Sequence, residues 1–136
     1  LTWGPGEEEL VRNIASSMKQ KSWTAPATTI AESIGLYKKL ALFVGSDSGP
    51  FHICWALGIP TVSVWGPTDP NRNGAYSKKH KSVFQKLNCS FCWKRRCPLG
   101  TTECMDKVTV QNMFDAAKTL VSEDVKVLTS PKHSVH

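Results

Sequence analysis

The order of apolar runs along the chain predicts an α/β fold. Residues 40–44 are continuously apolar, which is typical of a strand buried on both faces. Residues 51–57 follow as a helix that Gly58 ends, and residues 60–65 form a second β-rich run. A strand, a helix and a strand in direct succession indicate a βαβ unit. We therefore predict a Rossmann-like parallel sheet flanked by helices.

Further helices and a loop-rich segment complete the predicted elements. Residues 7–19 repeat apolar positions at helical spacing and begin with three glutamates, which suit the positive end of a helix dipole. Thr29 and Glu32 match a capping box at the start of a short helix. Residues 69–109 are interpreted as loops, and the residues after Thr109 as a final amphipathic helix.

The size and composition indicate a folded domain. Hydrophobic residues make up 40% of the 136 positions and charged residues 21%, which argues against disorder. No run of about 18 apolar residues is present to form a transmembrane helix. We expect residues 1–128 to form one domain and residues 129–136 to be a flexible tail.

The positive charge is concentrated in one part of the chain. The net charge is +6, and the segment 71–98 contains basic residues and no acid. Its lysines and arginines are Arg72, Lys78, Lys79, Lys81, Lys86, Lys94, Arg95 and Arg96. Either these are loose charges on a solvated loop, or they attract an anionic partner such as a phosphorylated glycolipid, a membrane surface or nucleic acid.

Residues 44–52 combine small and polar residues where the first predicted strand ends and a helix begins. In open α/β sheets, ligands bind beyond the carboxyl ends of the strands, and the first turn of a helix favours a phosphate. Asp47 can accept hydrogen bonds from sugar hydroxyls, and His52 can donate to a phosphate. A plainer interpretation is that Asp47 caps the helix and that His52 is an ordinary half-buried histidine.

Three segments in close succession, residues 45–52, 56–61 and 65–70, resemble the motifs of glycosyltransferase family 9, the ADP-heptose:lipopolysaccharide heptosyltransferases. The resemblance runs from about Trp3 to Leu120. It implies the C-terminal half of a GT-B glycosyltransferase, the Rossmann-like domain that binds the nucleotide sugar. It also implies that the domain's first strand and the N-terminal acceptor domain are missing from this segment.

Within that loop, the resemblance implies five donor-binding residues. Asp47 matches the acidic residue that contacts the donor sugar. Ser48, Gly49 and Pro50 match the loop whose backbone faces the diphosphate, and His52 matches a histidine beside it. Residues 68–70 are interpreted as a turn, not as a ligand contact.

The resemblance implies two donor contacts elsewhere. Glu7 matches the glutamate that binds the ribose hydroxyls, although its two acidic neighbours leave the register open by one residue. Thr28 is the nearest counterpart of a residue that lines the adenine pocket. Helix-terminal charge and helix capping explain these two positions equally well without a ligand.

In the family that this chain resembles, the catalytic base is an acidic residue of the N-terminal domain. We therefore expect no catalytic residue in this chain. We therefore expect it to bind ADP-heptose, or a related nucleotide sugar, without transferring the sugar alone. The implied reaction is an inverting transfer to a lipid A-core acceptor of the lipopolysaccharide inner core, with no cofactor for catalysis. The implied location is the cytoplasm of a Gram-negative bacterium, with peripheral contact to the inner face of the cytoplasmic membrane.

Four of the five cysteines, Cys89, Cys92, Cys97 and Cys104, fall within 16 residues. Four thiolates at short spacing can hold a structural zinc ion, but only one CxxC pair is present. Free thiols and disulfides are the other two interpretations. Cys54, in an apolar run, is interpreted as a small buried hydrophobic residue.

Two readings outside the glycosyltransferases remain open from the sequence. One is a basic, zinc-ribbon-like nucleic-acid-binding module that uses the basic segment, Phe91, Trp93 and the cysteines. It does not account for the buried strand or for the loop from Asp47 to His52, so we expect no nucleic-acid partner. The other is a Rossmann-like interaction domain without a ligand.

Overall fold

A computed structural model describes the backbone of residues 1–129 and the side chains of residues 1–122. The chain divides into two compact units, of which the first is Leu1–Leu36 and the second begins at Tyr37. The second unit contains a three-stranded sheet in the order β1-β2-β3, and all of its strands are parallel. The strands are β1 (Phe43–Ser46), β2 (Thr61–Val64) and β3 (His80–Val83).

Six helices are present in the described residues: α1 (Glu8–Ser17), α2 (Ile30–Tyr37), α3 (Gly49–Ala56), α4 (Pro70–Asn73), α5 (Glu103–Asp106) and α6 (Val110–Thr129). Helix α3 connects β1 to β2 and packs against both strands, while α6 packs against β2 and β3. The predicted βαβ unit and the parallel sheet flanked by helices are therefore confirmed. The predicted tail lies outside the described residues apart from Thr129, where α6 ends.

Strand β2 is the central strand and the best-buried one. Thr61, Val62 and Ser63 are almost fully buried although their side chains alternate between the two faces, so both faces are covered. Strand β1 differs from the prediction, because Val44 is 53% exposed. The apolar run predicted burial on both faces, but β1 lies at the edge of the described sheet and starts three residues later than the run.

The segment predicted to consist of loops contains β3, which sequence patterns did not indicate. Residues His80–Val83 include one aliphatic residue, and all four are only partly buried. The strand forms because Thr61 pairs with His80 and Val64 with Val83 along the buried edge of β2. Its stability therefore comes from the neighbouring strand and from α6, and not from its own β-propensity.

Aromatic side chains form the core of the second unit. The cluster consists of Tyr37, Phe43, Phe51, Cys54, Ile59 and Trp65. The rings of Phe51 and Trp65 meet edge to face with centroids 5.5 Å apart, and the Trp65 indole N–H donates to Ser63 Oγ at 2.7 Å. This arrangement satisfies the polar group of a fully buried tryptophan and fixes the end of β2 next to the start of α3.

The first unit confirms two local predictions and corrects a third. The capping box is present, because Thr29 N donates to Glu32 Oε2 at 2.7 Å and Glu32 N donates to Thr29 Oγ1 at 3.3 Å. Helix α1 lies within the predicted range. Of its predicted apolar face only Val11 is buried, whereas Leu10 is 58% exposed.

Candidate functional site

The loop between β1 and α3 lies at the carboxyl end of β1, where α/β sheets bind ligands. Ser48 occupies the position before the helix with an extended backbone, and its side chain does not cap α3. Its hydroxyl donates to the carbonyl of Ser46 at 3.1 Å. Because no side chain caps α3, the N–H groups of its first turn remain directed towards the space beyond the strand.

Asp47 is the centre of a hydrogen-bond network at this end of the sheet. Its Oδ1 lies 3.2 Å from Nε2 of His52, and its Oδ2 accepts a hydrogen bond of 2.7 Å from the Thr68 hydroxyl. The Asp47 side chain is 20% exposed and that of His52 is 43% exposed. The interpretation of Asp47 as a helix cap is therefore wrong, since both of its oxygens bond elsewhere.

Thr68 is the member of this network that the motif reading missed. The chain bends at residues 66–68 and enters α4 at Pro70, and Asp69 caps that helix by accepting a hydrogen bond of 2.8 Å from Asn71 N. Thr68, in the same turn, directs its hydroxyl to Asp47 instead. Parallel neighbouring strands end at the same edge of a sheet, so the residues that follow β2 approach those that follow β1. This rule could have predicted from the sequence that Thr68 lies near Asp47.

Glycines in the loop have different roles. A Cβ on Gly45 would lie 2.7 Å from Cζ of Phe43, so this glycine makes room for a core ring and not for a ligand. A Cβ on Gly49 would meet nothing within 4 Å. Only Gly49 therefore leaves open space at the start of α3, and the adjacent Pro50 occupies its first turn.

Glu7 and Thr28, the two donor contacts implied outside this loop, belong to the first unit. Glu7 Oε2 accepts a hydrogen bond of 2.8 Å from Gly4 N, which closes the turn before α1. Thr28 Oγ1 lies 2.8 Å from Ser33 Oγ. Both side chains are exposed, and their roles towards ribose and adenine stay predictions.

The four clustered cysteines line one cavity of about 180 Å³, together with Pro67, Lys94, Arg95 and Met105. Hydrogen bonds from backbone N–H groups, of which those of Thr102 and Leu99 contribute most, lower the pKa of the Cys97 thiol. Burial raises the pKa of Cys104, and the nearby Cys89 raises it further. The cluster therefore contains thiols of unequal acidity within electrostatic reach of one another.

The cysteine cluster does not have the geometry of a metal site. Among the residues that the structure describes, no three His, Cys, Asp or Glu side chains are grouped so as to hold a metal ion. Structural zinc requires four ligands that converge tetrahedrally, so the structure does not support the predicted zinc site. All five cysteines are free thiols, and Cys54 is fully buried as expected.

The backbone around these cysteines is unusual. Phe91, Trp93 and Thr102 have φ values of 62°, 59° and 52°, in the left-handed region that favours glycine. Trp93 N donates to the carbonyl of Pro67 at 2.9 Å, and the Arg72 guanidinium lies 4.9 Å from the centre of the Trp93 ring. These contacts attach the segment to the turn that carries Thr68.

The basic segment remains available to an anionic partner. Within the described part of the chain, none of its eight lysines and arginines forms a salt bridge with an acid. Lys78, Lys79, Arg95 and Arg96 are exposed. In residues 1–129, no helix combines the length and the apolar character that crossing a membrane requires.

The chain matches a family and related proteins over most of its length. The model of Glycosyltransferase family 9 (heptosyltransferase) matches residues 1–103. Lipooligosaccharide heptosyltransferase 2 of Campylobacter jejuni is 28% identical over 123 residues, which are 87% of this chain and 39% of that protein. The chain thus spans about two fifths of the length of this curated relative.

Two solved structures share the fold. A glycosyltransferase of family 9 from Veillonella parvula superimposes with a TM-score of 0.74 at 22% identity, over 90% of this chain and 36% of that one. An Escherichia coli heptosyltransferase with ADP gives a TM-score of 0.58 at 25% identity, over 91% of this chain and 33% of that one. These likenesses confirm the predicted GT-B fold class. Together with the family match, they show that the chain belongs to glycosyltransferase family 9.

Proposed function

We propose that this chain is the donor-binding domain, residues 1–128, of a glycosyltransferase that transfers heptose or a related sugar from ADP-heptose. The network of Asp47, His52 and Thr68 at the carboxyl end of the sheet carries this proposal. A carboxylate that is partly exposed can accept hydrogen bonds from sugar hydroxyls. The uncapped start of α3 beside it suits the diphosphate.

We assign the donor contacts as the family resemblance implies them. The side chain of Asp47 binds the sugar, and the backbone from Ser48 to Pro50 faces the diphosphate. His52 lies 3.2 Å from Asp47 on the first turns of α3, where an imidazole N–H can donate to a phosphate oxygen. Glu7 is assigned to the ribose and Thr28 to the base. Membership of the family and the likeness to a heptosyltransferase solved with ADP favour adenine as that base.

The proposed acceptor is the lipid A-core of lipopolysaccharide or lipooligosaccharide, and the Campylobacter relative is named as a lipooligosaccharide heptosyltransferase. The reaction is an inverting transfer, in which a base removes the proton of the acceptor hydroxyl while the diphosphate leaves. No residue of this chain is assigned as that base. The donor loop assists departure of ADP through hydrogen bonds to the diphosphate. No cofactor is assigned to the reaction.

Calorimetric titration tests the proposal. We expect ADP to bind saturably and ADP-heptose to bind more tightly, whereas UDP-glucose does not bind. Asp47→Ala should weaken the binding of ADP-heptose more than that of ADP, because it removes a sugar contact. His52→Ala should weaken the binding of both. Asp115→Ala is the matched control, since Asp115 is an exposed aspartate of α6. Absence of ADP binding by the wild-type chain, or equal affinities in all variants, would overturn the proposal.

We also propose that the basic segment, Arg72 to Arg96, holds the protein against the anionic inner face of the cytoplasmic membrane, where the acceptor lipid is found. Seven of its eight basic residues are exposed, and none of the eight forms a salt bridge in the described residues, which supports an electrostatic contact of this kind. The family assignment leaves no feature that favours the nucleic-acid-binding alternative.

Vesicle sedimentation tests the membrane contact. Vesicles that contain phosphatidylglycerol should retain the wild-type chain at low salt and release the variant Lys78→Glu/Lys79→Glu/Lys86→Glu. The matched control reverses three exposed lysines elsewhere, Lys38, Lys39 and Lys118. If both triple variants lose binding equally, net charge and not this segment is responsible.

A further inference from the structure

We infer that Thr68 is a positioning residue, which fixes the Asp47 carboxylate and through it the His52 imidazole. The Thr68 hydroxyl donates to Asp47 Oδ2 at 2.7 Å, while Oδ1 lies against His52 Nε2 at 3.2 Å. With only one oxygen bonded, the carboxylate could still turn about its Cβ–Cγ bond. With both oxygens bonded, its plane is fixed. The expected effect of this fixed carboxylate on donor binding rests on the proposed function.

Thr68 is itself held from several sides, so its hydroxyl does not adapt freely. Immediately before it, the carbonyl of Pro67 accepts a hydrogen bond of 2.9 Å from Trp93 N. Immediately after it, Asp69 caps α4. A Cβ on Gly66 would lie 2.5 Å from Met105 Sδ, which shows how closely the turn packs on α5. A rigid turn therefore presents the hydroxyl to Asp47.

The network also determines which nitrogen of His52 carries a proton. An ionised carboxylate only accepts hydrogen bonds, so the nitrogen that faces Asp47 Oδ1, Nε2, must be the donor. Nδ1 is then the nitrogen left to face the diphosphate, and it donates to a phosphate oxygen when the ring carries both protons. A carboxylate fixed by Thr68 thus selects one tautomer and one ring orientation, in the way that buried carboxylates orient imidazoles in other sites.

The experiment compares Thr68→Val, which removes the hydroxyl at nearly the same volume, with Thr68→Ser, which retains it. Thr119→Val makes the same chemical change on an exposed position of α6 and is the control. Since a hydrogen bond to a charged group is lost, we expect Thr68→Val to lower the affinity for ADP-heptose about tenfold. Thr68→Ser and Thr119→Val should bind ADP-heptose with an affinity within about twofold of the wild type. A twofold change is smaller than the loss of one neutral hydrogen bond would cause.

Two further measurements separate positioning from a general structural role. In an Asp47→Ala background, Thr68→Val should have no additional effect, because its partner is absent. In nitrogen-15 spectra at pH 8, with His52 identified by His52→Gln, the wild-type ring should be the Nε2–H tautomer. Thr68→Val should move both ring nitrogens towards the averaged values of free imidazole, and Thr68→Ser should not.

The outcomes distinguish this inference from the proposed function. If Asp47→Ala weakens the sugar nucleotide but Thr68→Val does not, the function stands and the positioning role of Thr68 is wrong. The role is also wrong if Thr68→Val has its full effect without Asp47, or if the His52 spectrum does not change. If the wild-type chain binds no nucleotide, the proposed function fails, and the His52 spectrum still decides the role of Thr68.

Discussion

The Thr61 hydroxyl and the Nδ1 atom of His80 lie 2.8 Å apart, side by side on neighbouring parallel strands. Burial, followed by the adjacent charge of Lys79, lowers the pKa of His80 from its ordinary value of 6.5. Folding therefore favours the neutral form of this imidazole. This pair joins the best-buried strand of the sheet to the strand that sequence patterns did not indicate.

The stability of the chain should depend on His80 in mildly acidic solution. Because the folded pKa is below the unfolded one, protons bind the unfolded chain more readily and favour unfolding. The stabilising effect is complete above about pH 6.5 and is lost as pH falls through the lower, folded pKa. Urea unfolding midpoints between pH 8 and pH 5 should fall less steeply for His80→Gln than for the wild type. An equally steep decline in His80→Gln would contradict the prediction.

The aromatic pair of Phe51 and Trp65 should dominate the stability of the second unit. Phe51 is 1% exposed, so Phe51→Ala should lower the free energy of unfolding by about 4 kcal/mol through lost burial and the resulting cavity. Phe114→Ala, at a position that is 58% exposed, should change it by less than about 0.5 kcal/mol. Chemical denaturation followed by tryptophan fluorescence measures both. Similar losses of stability in the two variants would contradict the burial of Phe51 in the core.

Gly74 should not tolerate a side chain. A Cβ at this position would lie 2.3 Å from the carbonyl oxygen of Pro70, a backbone atom that α4 holds in place. Gly74→Ala should therefore destabilise the chain by about 2 kcal/mol. Gly35→Ala provides the contrast, since its Cβ meets nothing within 4 Å inside α2, and should stabilise that helix by about 0.5–1 kcal/mol. Opposite signs are expected, and equal signs would contradict the contact at Pro70.

The five thiols should react at very different rates. Backbone N–H groups stabilise the thiolate of Cys97, whereas burial raises the pKa of Cys54 to about 11. Because thiolates are the reactive form, iodoacetamide at neutral pH should modify Cys97 well before Cys54. Peptide mass spectrometry follows each site, and chain unfolded in urea, where all five sites should react alike, is the control. Early modification of Cys54 in the folded chain would disprove its burial.

Local signals in the sequence were sufficient for the parts of the fold that depend on local chemistry. The βαβ unit, the capping box of Thr29 and Glu32 and the loop that contains Asp47 all follow from patterns within a few residues of one another. The exposure of Val44 and the existence of β3 depend on which strand lies next to which. No periodicity within one strand contains that information.

The candidate site was likewise predictable only where its residues are close in sequence. Asp47 and His52 are five residues apart and share a motif, so a resemblance identified them together. Thr68 is 21 residues from Asp47, and its turn has an adequate local explanation in Asp69 and Pro70. The cysteines were close in sequence, but their shared cavity does not bring three of them into metal-binding geometry. Proximity along the chain was a poor guide to convergence in space.

The left-handed backbone at Phe91 and Trp93 has a consequence for anyone who engineers this chain. Each such residue costs about 1 kcal/mol relative to glycine, so glycine at either position would relieve backbone strain. Glycine at 93 would also remove the ring beneath Arg72, and glycine at 91 the ring that lies 5.8 Å from Phe84. Either substitution would then loosen the segment bonded to the turn of Thr68. Thermostability and donor affinity should therefore be selected together.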